Sequence, residues 1–446
     1  MIQIDMIRNW LVGLGSLVLF ACSGSTYIGE VVEEEEAPLS VPVPIVLSLG
    51  MSDFEILTRG NGEVNNGNDA SFWNKVRFYV YAFNKNPDTD LSVPWSEGNQ
   101  TSCLLDSNRS MKVGTGTTVQ GKEVGIRKEN SNLLIYYPDE ESYVIYYNMD
   151  DVNMPYNFFA YYLDDWQSEC HREKDRIYYD VELDGRRDFM SAFADPYVQQ
   201  EKFDGNPYKD KILDRAFSAY SANHGLNPVF QLQHHLALFR FVVCRPDEAQ
   251  PGVPALDPSL AVKKIEVESK IKGRFTVAVS QPLSTDPELP HRGISFDVSG
   301  QRAEYLELKK KDGTPLGDAV WCTVADCPMY NDTDITPEDK KNFRYVLGKV
   351  DKDDKSDSGS SLLLAPADVY NARITLTTEK GLTDEKYAVA DVELVNMHDT
   401  RTFEPGKAYT IYLTVNSLSD ITLQVEAGDW ENGGNADLNP DGEFQE

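Results

Sequence analysis

Between residues 41 and 52 every odd position is apolar (Val41, Val43, Ile45, Leu47, Leu49 and Met51), and the even positions are Pro42, Pro44, Val46, Ser48, Gly50 and Ser52. A period of two puts all the odd side chains on one side of an extended chain, so the stretch is predicted to be a strand with one buried face. Pro42 and Pro44 lack N–H donors, which predicts a place at the edge of a sheet. The run leads to Thr58, Arg59 and Gly60, then to GNGEVNNGN, a loop by composition. A strand at a sheet edge, followed by a basic residue in an exposed loop, is one that a single cut could detach. Burying six such side chains is worth roughly 10–15 kcal/mol as an upper bound, so its loss would leave a large apolar slot.

The rest of the chain repeats the strand signal. Residues 76–83 (VRFYVYAF), 133–138 (LLIYYP), 143–147 (YVIYY) and 156–163 (YNFFAYYL) are aromatic and β-branched, separated by Pro, Asp, Asn and Gly clusters. Such spacing predicts an all-β sandwich. One segment departs from it: Ile212, Leu213, Ala216, Phe217 and Tyr220 share a helical face, predicting a short helix over 209–222. A second series follows at 232–243 (LQHHLALFRFVV), 262–270, 273–280, 293–299, 372–379 and 386–394. It ends in two alternating runs, 409–415 and 421–427, in which Ile421, Leu423, Val425 and Ala427 share a face. The expected organisation is therefore residues 60–226 as one sandwich domain and 227–446 as another. The Pro-rich loop at 246–259 is a competing boundary.

The N-terminus sets the compartment. Arg8 precedes an apolar run, 10–21, that is too short to span a bilayer and ends in Ala21 before Cys22. Leu19-Phe20-Ala21-Cys22 resembles the bacterial lipobox. By that resemblance residues 1–21 are a signal peptide, Cys22 is lipidated, and 22–59 hold an acidic tether and the first strand; the plainer reading is an ordinary secretory signal. The chain has 446 residues, 72 acidic against 42 basic, for a formal charge of −30. That balance argues against nucleic acid as a partner. The remaining cysteines, Cys103, Cys170, Cys244, Cys322 and Cys327, are odd in number and form no dense disulfide framework; Cys322 and Cys327 could close a small loop. Cys244 sits inside an apolar strand and reads as core.

Motifs for chemistry are weak. Residues 116–122 (GTTVQGK) imitate a phosphate loop, yet Glu123 stands where its Ser or Thr belongs. Asp437, Asn439, Asp441 and Gly442 imitate a calcium loop broken by Pro440. No HExxH, GxSxG or paired CxxC occurs, and Asp164-Asp165 alone does not define a glycosidase pair. An enzyme is not expected, nor is a cofactor or metal.

Three blocks together resemble the fimbrillins of Bacteroidales, the type V pilins. They are the lipoprotein signal with its alternating strand, Arg59-Gly60 and VRFYVYAF; LQHHLALFRFVV with His235 and Arg240; and FEPGKAYTIYLTV followed by ITLQVEAGDW. The resemblance implies two tandem transthyretin-like β-sandwiches and a surface lipoprotein of the outer membrane. An Arg-specific protease would cut between Arg59 and Gly60, removing the strand that carries Val43, Ile45, Leu47, Leu49 and Met51. A terminal strand of a neighbouring subunit, with Ile421–Ala427 as the candidate donor, would fill the slot and build a head-to-tail fimbrium that supports adhesion to host or bacterial targets. The rival reading is a monomeric surface lipoprotein that binds glycans or host proteins through exposed aromatics.

Overall fold

The computed structural model describes residues 41–49, 77–96, 102–106, 121–129, 132–136, 145–164, 166–244, 261–309, 313–315, 320–321, 361–378, 386–396, 402–417 and 420–429. Alternating apolar residues drive about half of them into strands. The largest sheet runs β10 (Val229–Phe230), β1 (Ser48–Leu49), β5 (Asn132–Tyr136), β4 (Lys122–Glu129), β2 (Arg77–Asn84), β6 (Tyr156–Tyr162), β9 (Met190–Phe193) and β11 (Gln233–His234). A ninth strand, β3 (Cys103–Leu105), pairs with the end of β2. Facing it is a four-stranded antiparallel sheet: β15 (Gly293–Ser295), β14 (Lys272–Val279), β8 (Arg176–Glu182) and β7 (Cys170–Arg172).

Between these two sheets Tyr81, Phe83, Phe159 and Tyr161 pack with Tyr179, Val181, Phe275 and Val277. Buried phenols need partners, and Tyr161 and Tyr179 supply each other's across the core, Oη to Oη at 2.7 Å. Burial holds both hydroxyls well above the usual tyrosine range, so the bridge is neutral.

A second sandwich follows. One sheet is β18 (Leu362–Leu364), β12 (Ala237–Cys244), β21 (Lys407–Ser417) and β22 (Asp420–Asp429). The other is β16 (Ala303–Glu307), β13 (Ala261–Lys270), β19 (Val369–Thr378) and β20 (Lys386–Val395), with β17 (Val320–Trp321) on the start of β13. Phe239, Phe241, Ile411 and Leu413 pack there against Ile265, Val267, Ile374 and Leu376. The fold is all-β, as the strand spacing predicts.

Two strands serve both cores. On β12, Leu238 joins the first core while Ala237 and Phe239 join the second; on β18, Leu363 joins the first while Leu362 and Leu364 join the second. This is why residues 236–244 are apolar throughout except for Arg240, which is itself buried: both faces of the strand are covered. Cys244 is fully buried at its end, as core. The expected division at 226/227 is crossed by a hairpin, since β14 and β15 lie beyond it in sequence and in the first sandwich in space.

The segment predicted as one helix over 209–222 is two. A 3-10 segment, Pro196–Phe203, precedes α1 (Lys209–Asp214) and α2 (Ala219–Asn223). Phe217 adopts a left-handed backbone, φ 56°, and Ser218 then restarts the helix with a capping box to Ser221. The predicted apolar face is nonetheless real: Ile212, Leu213, Ala216, Phe217 and Tyr220 are all buried. Phe217 packs edge-on against Phe158 at 5.8 Å, so these turns cover the outer face of the nine-stranded sheet.

Candidate assembly site

The alternation at the start of the chain appears in the structure as a pleat. Ile45, Leu47 and Leu49 are 5%, 2% and 7% exposed, Val43 is half-buried, and the intervening Val46 is 44% exposed. Val41 is 69% exposed, so the full burial predicted for the odd positions begins only at Ile45. Met51, Arg59, Gly60 and Cys22 lie outside the described residues, as does the Cys322–Cys327 loop.

Backbone bonds fix the segment in two steps. Its first half pairs antiparallel with residues 145–147: Tyr147 N–H donates to the Val43 carbonyl at 3.0 Å, and Ile45 N–H donates to the Ile145 carbonyl at 2.8 Å. Pro44, which cannot donate, sits at the bridge opposite Tyr146. Its second half lies between two strands. Ile135 N–H donates to the Leu47 carbonyl at 3.4 Å, and Ser48 N–H donates to the Pro228 carbonyl at 3.1 Å. Here Ser48 pairs antiparallel with Leu134, while Ser48 and Leu49 run parallel to Val229 and Phe230.

The prediction of an edge position is corrected for the second half: β1 has a neighbour on each side, and the outermost strand is β10, two residues long, whereas the half with Pro44 pairs on one side among the described residues. Sequence reasoning missed β10 because Val229–Phe230 is too short to show a period; Pro228 just before it was the available punctuation.

The candidate donor strand lies elsewhere. β22 pairs along its length with β21, Leu423 opposite Leu413 and Val425 opposite Ile411, and is the last strand of its sheet. Ile421, Leu423 and Val425 are partly buried against the second core, whereas Ala427 is exposed. Thus the first strand belongs to one sandwich and the terminal strand to the other; within one molecule they do not pair.

Just after β10 the chain carries a buried polar cluster. His234 Nδ1 is 2.6 Å from the Asp188 carboxylate, and His235 Nε2 is 2.8 Å from the Ser191 hydroxyl. Burial, helped by the Arg292 charge and then by His234, pushes His235 down to about 3. It is neutral at physiological pH, a structural hydrogen-bonding group joining β9 to the strand that leads into β12.

No family model and no curated protein matches the chain. Among solved structures it is similar to a proposed cell adhesion protein from Bacteroides uniformis, at 10% identity over 88% of this chain and 100% of that one, with a TM-score of 0.40. It is also similar to a fimbrial protein from Bacteroides vulgatus, at 12% identity over 87% of this chain and 99% of that one, TM-score 0.37. A third, a proposed cell adhesion protein from Bacteroides ovatus, shares 11% identity over 87% and 98%, TM-score 0.37. Identities of 10–12% and TM-scores of 0.40 and below are too low to transfer function to this chain.

Proposed function

We propose that the chain is a structural subunit of surface fimbriae, exported as a lipoprotein precursor through Cys22 and polymerised by strand exchange. An Arg-specific protease cuts between Arg59 and Gly60, and the polymer supports adhesion. One observation carries the reading: the 43–49 segment completes the first sandwich from outside the body of its sequence, burying Ile45, Leu47 and Leu49 and lying, at Ser48–Leu49, between β5 and β10.

Burial of Ile45, Leu47 and Leu49 contributes about 5–9 kcal/mol as an upper bound. That suffices to close the sheet in the precursor and is small enough for a longer strand to outcompete. Without the segment, β5 and β10 face each other across an empty strand position, each with an unpaired edge above an apolar floor. An incoming extended strand restores backbone bonds and side-chain pockets together. β22 supplies the alternation and stands at the edge of its sheet. Because the slot is in the first sandwich and the donor in the second, the contact joins molecules head-to-tail and gives an open filament.

The test is Arg-specific proteolysis of the purified precursor followed by electrophoresis without heating. The expected result is an SDS-resistant ladder, lost both in Arg59→Ala and on deletion of residues 421–430. A chain that is cut after Arg59 and stays monomeric would overturn the proposal.

A further inference from the structure

The two ends of the nine-stranded sheet are consecutive in the chain. β10 closes one end and β11 the other, and only Gln231 and Leu232 lie between them. Three peptide units reach about 10 Å, so the sheet curls until its ends stand close together. β10 is thus tied to β11 on one flank while it faces β1 on the other. Among the described residues β1 is its only strand partner.

A strand with one partner would be expected to drift once that partner leaves, yet β10 is pinned at both ends by contacts that do not involve residues 43–49. Before it, Gln199 Nε2 donates to the Asn227 carbonyl at 2.8 Å, and Leu226 N–H donates to the Ser221 carbonyl at 2.9 Å. After it, β11 pairs with β9, and His235 N–H donates to the Phe189 carbonyl at 3.1 Å. The Asp188–His234 pair at 2.6 Å and the Ser191–His235 pair at 2.8 Å fasten the same stretch through side chains. Asp188, Ser191 and Gln199 are all buried, so water competes little for these bonds.

We propose that Gln199 on one side, and the Asp188–His234 and Ser191–His235 pairs on the other, are positioning residues that keep β10 in place once 43–49 has gone, so that the vacated slot stays one strand wide. The inference rests on the strand-exchange reading. Neighbouring strands lie about 4.8 Å apart, so β5 and β10 stand about 10 Å apart across β1. Collapse would bring their free edges together and close the slot. That step carries β10 away from β11, and the pins and the two-residue link oppose it. A slot held open accepts an incoming strand without first rebuilding its wall.

The experiment has two arms. The first is hydrogen exchange in the uncut Leu47→Ala chain, whose leading segment is weakened. Amides of Leu226 and His235, on the two flanks of β10, should stay protected while those of Ile45 and Ser48 exchange. Loss of all four together would overturn the inference. The second arm follows, by fluorescence anisotropy, uptake of a labelled peptide with the sequence of residues 41–52 by the Arg-cleaved chain. Gln199→Leu and Ser191→Ala should each slow uptake by about fivefold. Gly273→Ala, which crowds Ile294 and Phe296 and not β10, should leave the rate unchanged. Uptake at the wild-type rate by both pin variants would overturn the inference. A cleaved chain that takes up no peptide, with Leu226 and His235 protected in the first arm, would sink strand exchange and leave the fixed wall standing.

Discussion

Leu47→Ala separates a strand that is merely docked from one that is integral. Leu47 is 2% exposed and its carbonyl accepts from Ile135. Truncating a buried leucine costs about 2–5 kcal/mol, against an upper bound of about 5–9 kcal/mol for the burial of Ile45, Leu47 and Leu49 together. The substitution therefore removes a large share of what holds the 43–49 segment. If that segment opens on its own, its amide protection should fall by a factor of about thirty to several thousand. The assay is native-state hydrogen exchange at Ile45, Tyr147 and Ser48, whose N–H groups donate in the pairing. Amides of Phe239 and Ile411, deep in the second core, should be unchanged. The result that refutes the reasoning is loss of protection at both places in equal measure. The segment would then unfold only with the whole molecule, and exchange for another strand would demand global unfolding.

Other expectations follow from particular contacts. Arg172 Nη1 lies 2.7 Å from the fully buried Asp106 carboxylate and its Nε donates to the Leu91 carbonyl. Arg172→Met removes that ion-pair partner, while the Trp95 N–H still donates to the carboxylate at 3.2 Å, and should cost up to about 3–5 kcal/mol in urea unfolding. A Cβ on Gly273 would meet Ile294 Cγ2 at 2.9 Å and Phe296 at 3.1 Å, so Gly273→Ala should lower stability by about 1–3 kcal/mol, read as a drop in melting temperature. His235, held at about 3 chiefly by burial, lies below its unfolded value of 6.5. The unfolded chain therefore binds the extra proton, and its contribution is fully present above pH 6.5 and lost as pH falls toward 3. Unfolding free energies from urea titrations at pH 7 and pH 5 should differ by about 2 kcal/mol more in the wild type than in His235→Gln.

What could be read from the sequence was whatever a local period encodes. The 43–49 pleat, the aromatic strands β2 and β6, and the β21–β22 pair all follow from alternation, because one buried face imposes it. β8 carries the same signal, Ile177, Tyr179, Val181 and Leu183 all buried and alternating with Arg176, Asp180 and Glu182, and sequence reasoning passed over it. The break at Phe217 was hidden because both short helices bury the same face. Pairing across the chain leaves no local mark at all: nothing within residues 272–295 shows that they join β8, and nothing in Val229–Phe230 shows that they flank β1. For the same reason the edge inferred from Pro42 and Pro44 holds only for the half that carries them, which pairs with 145–147 alone, and fails at Ser48–Leu49, where β10 adds a second neighbour.

The central claim is that the leading strand is surrendered on assembly. N-terminal sequencing of the subunit recovered from surface polymer tests it most directly. The expected sequence begins at Gly60 (GNGEV), with residues 43–49 gone from every polymerised copy. A polymer whose subunits still carry Ile45, Leu47 and Leu49 would contradict it.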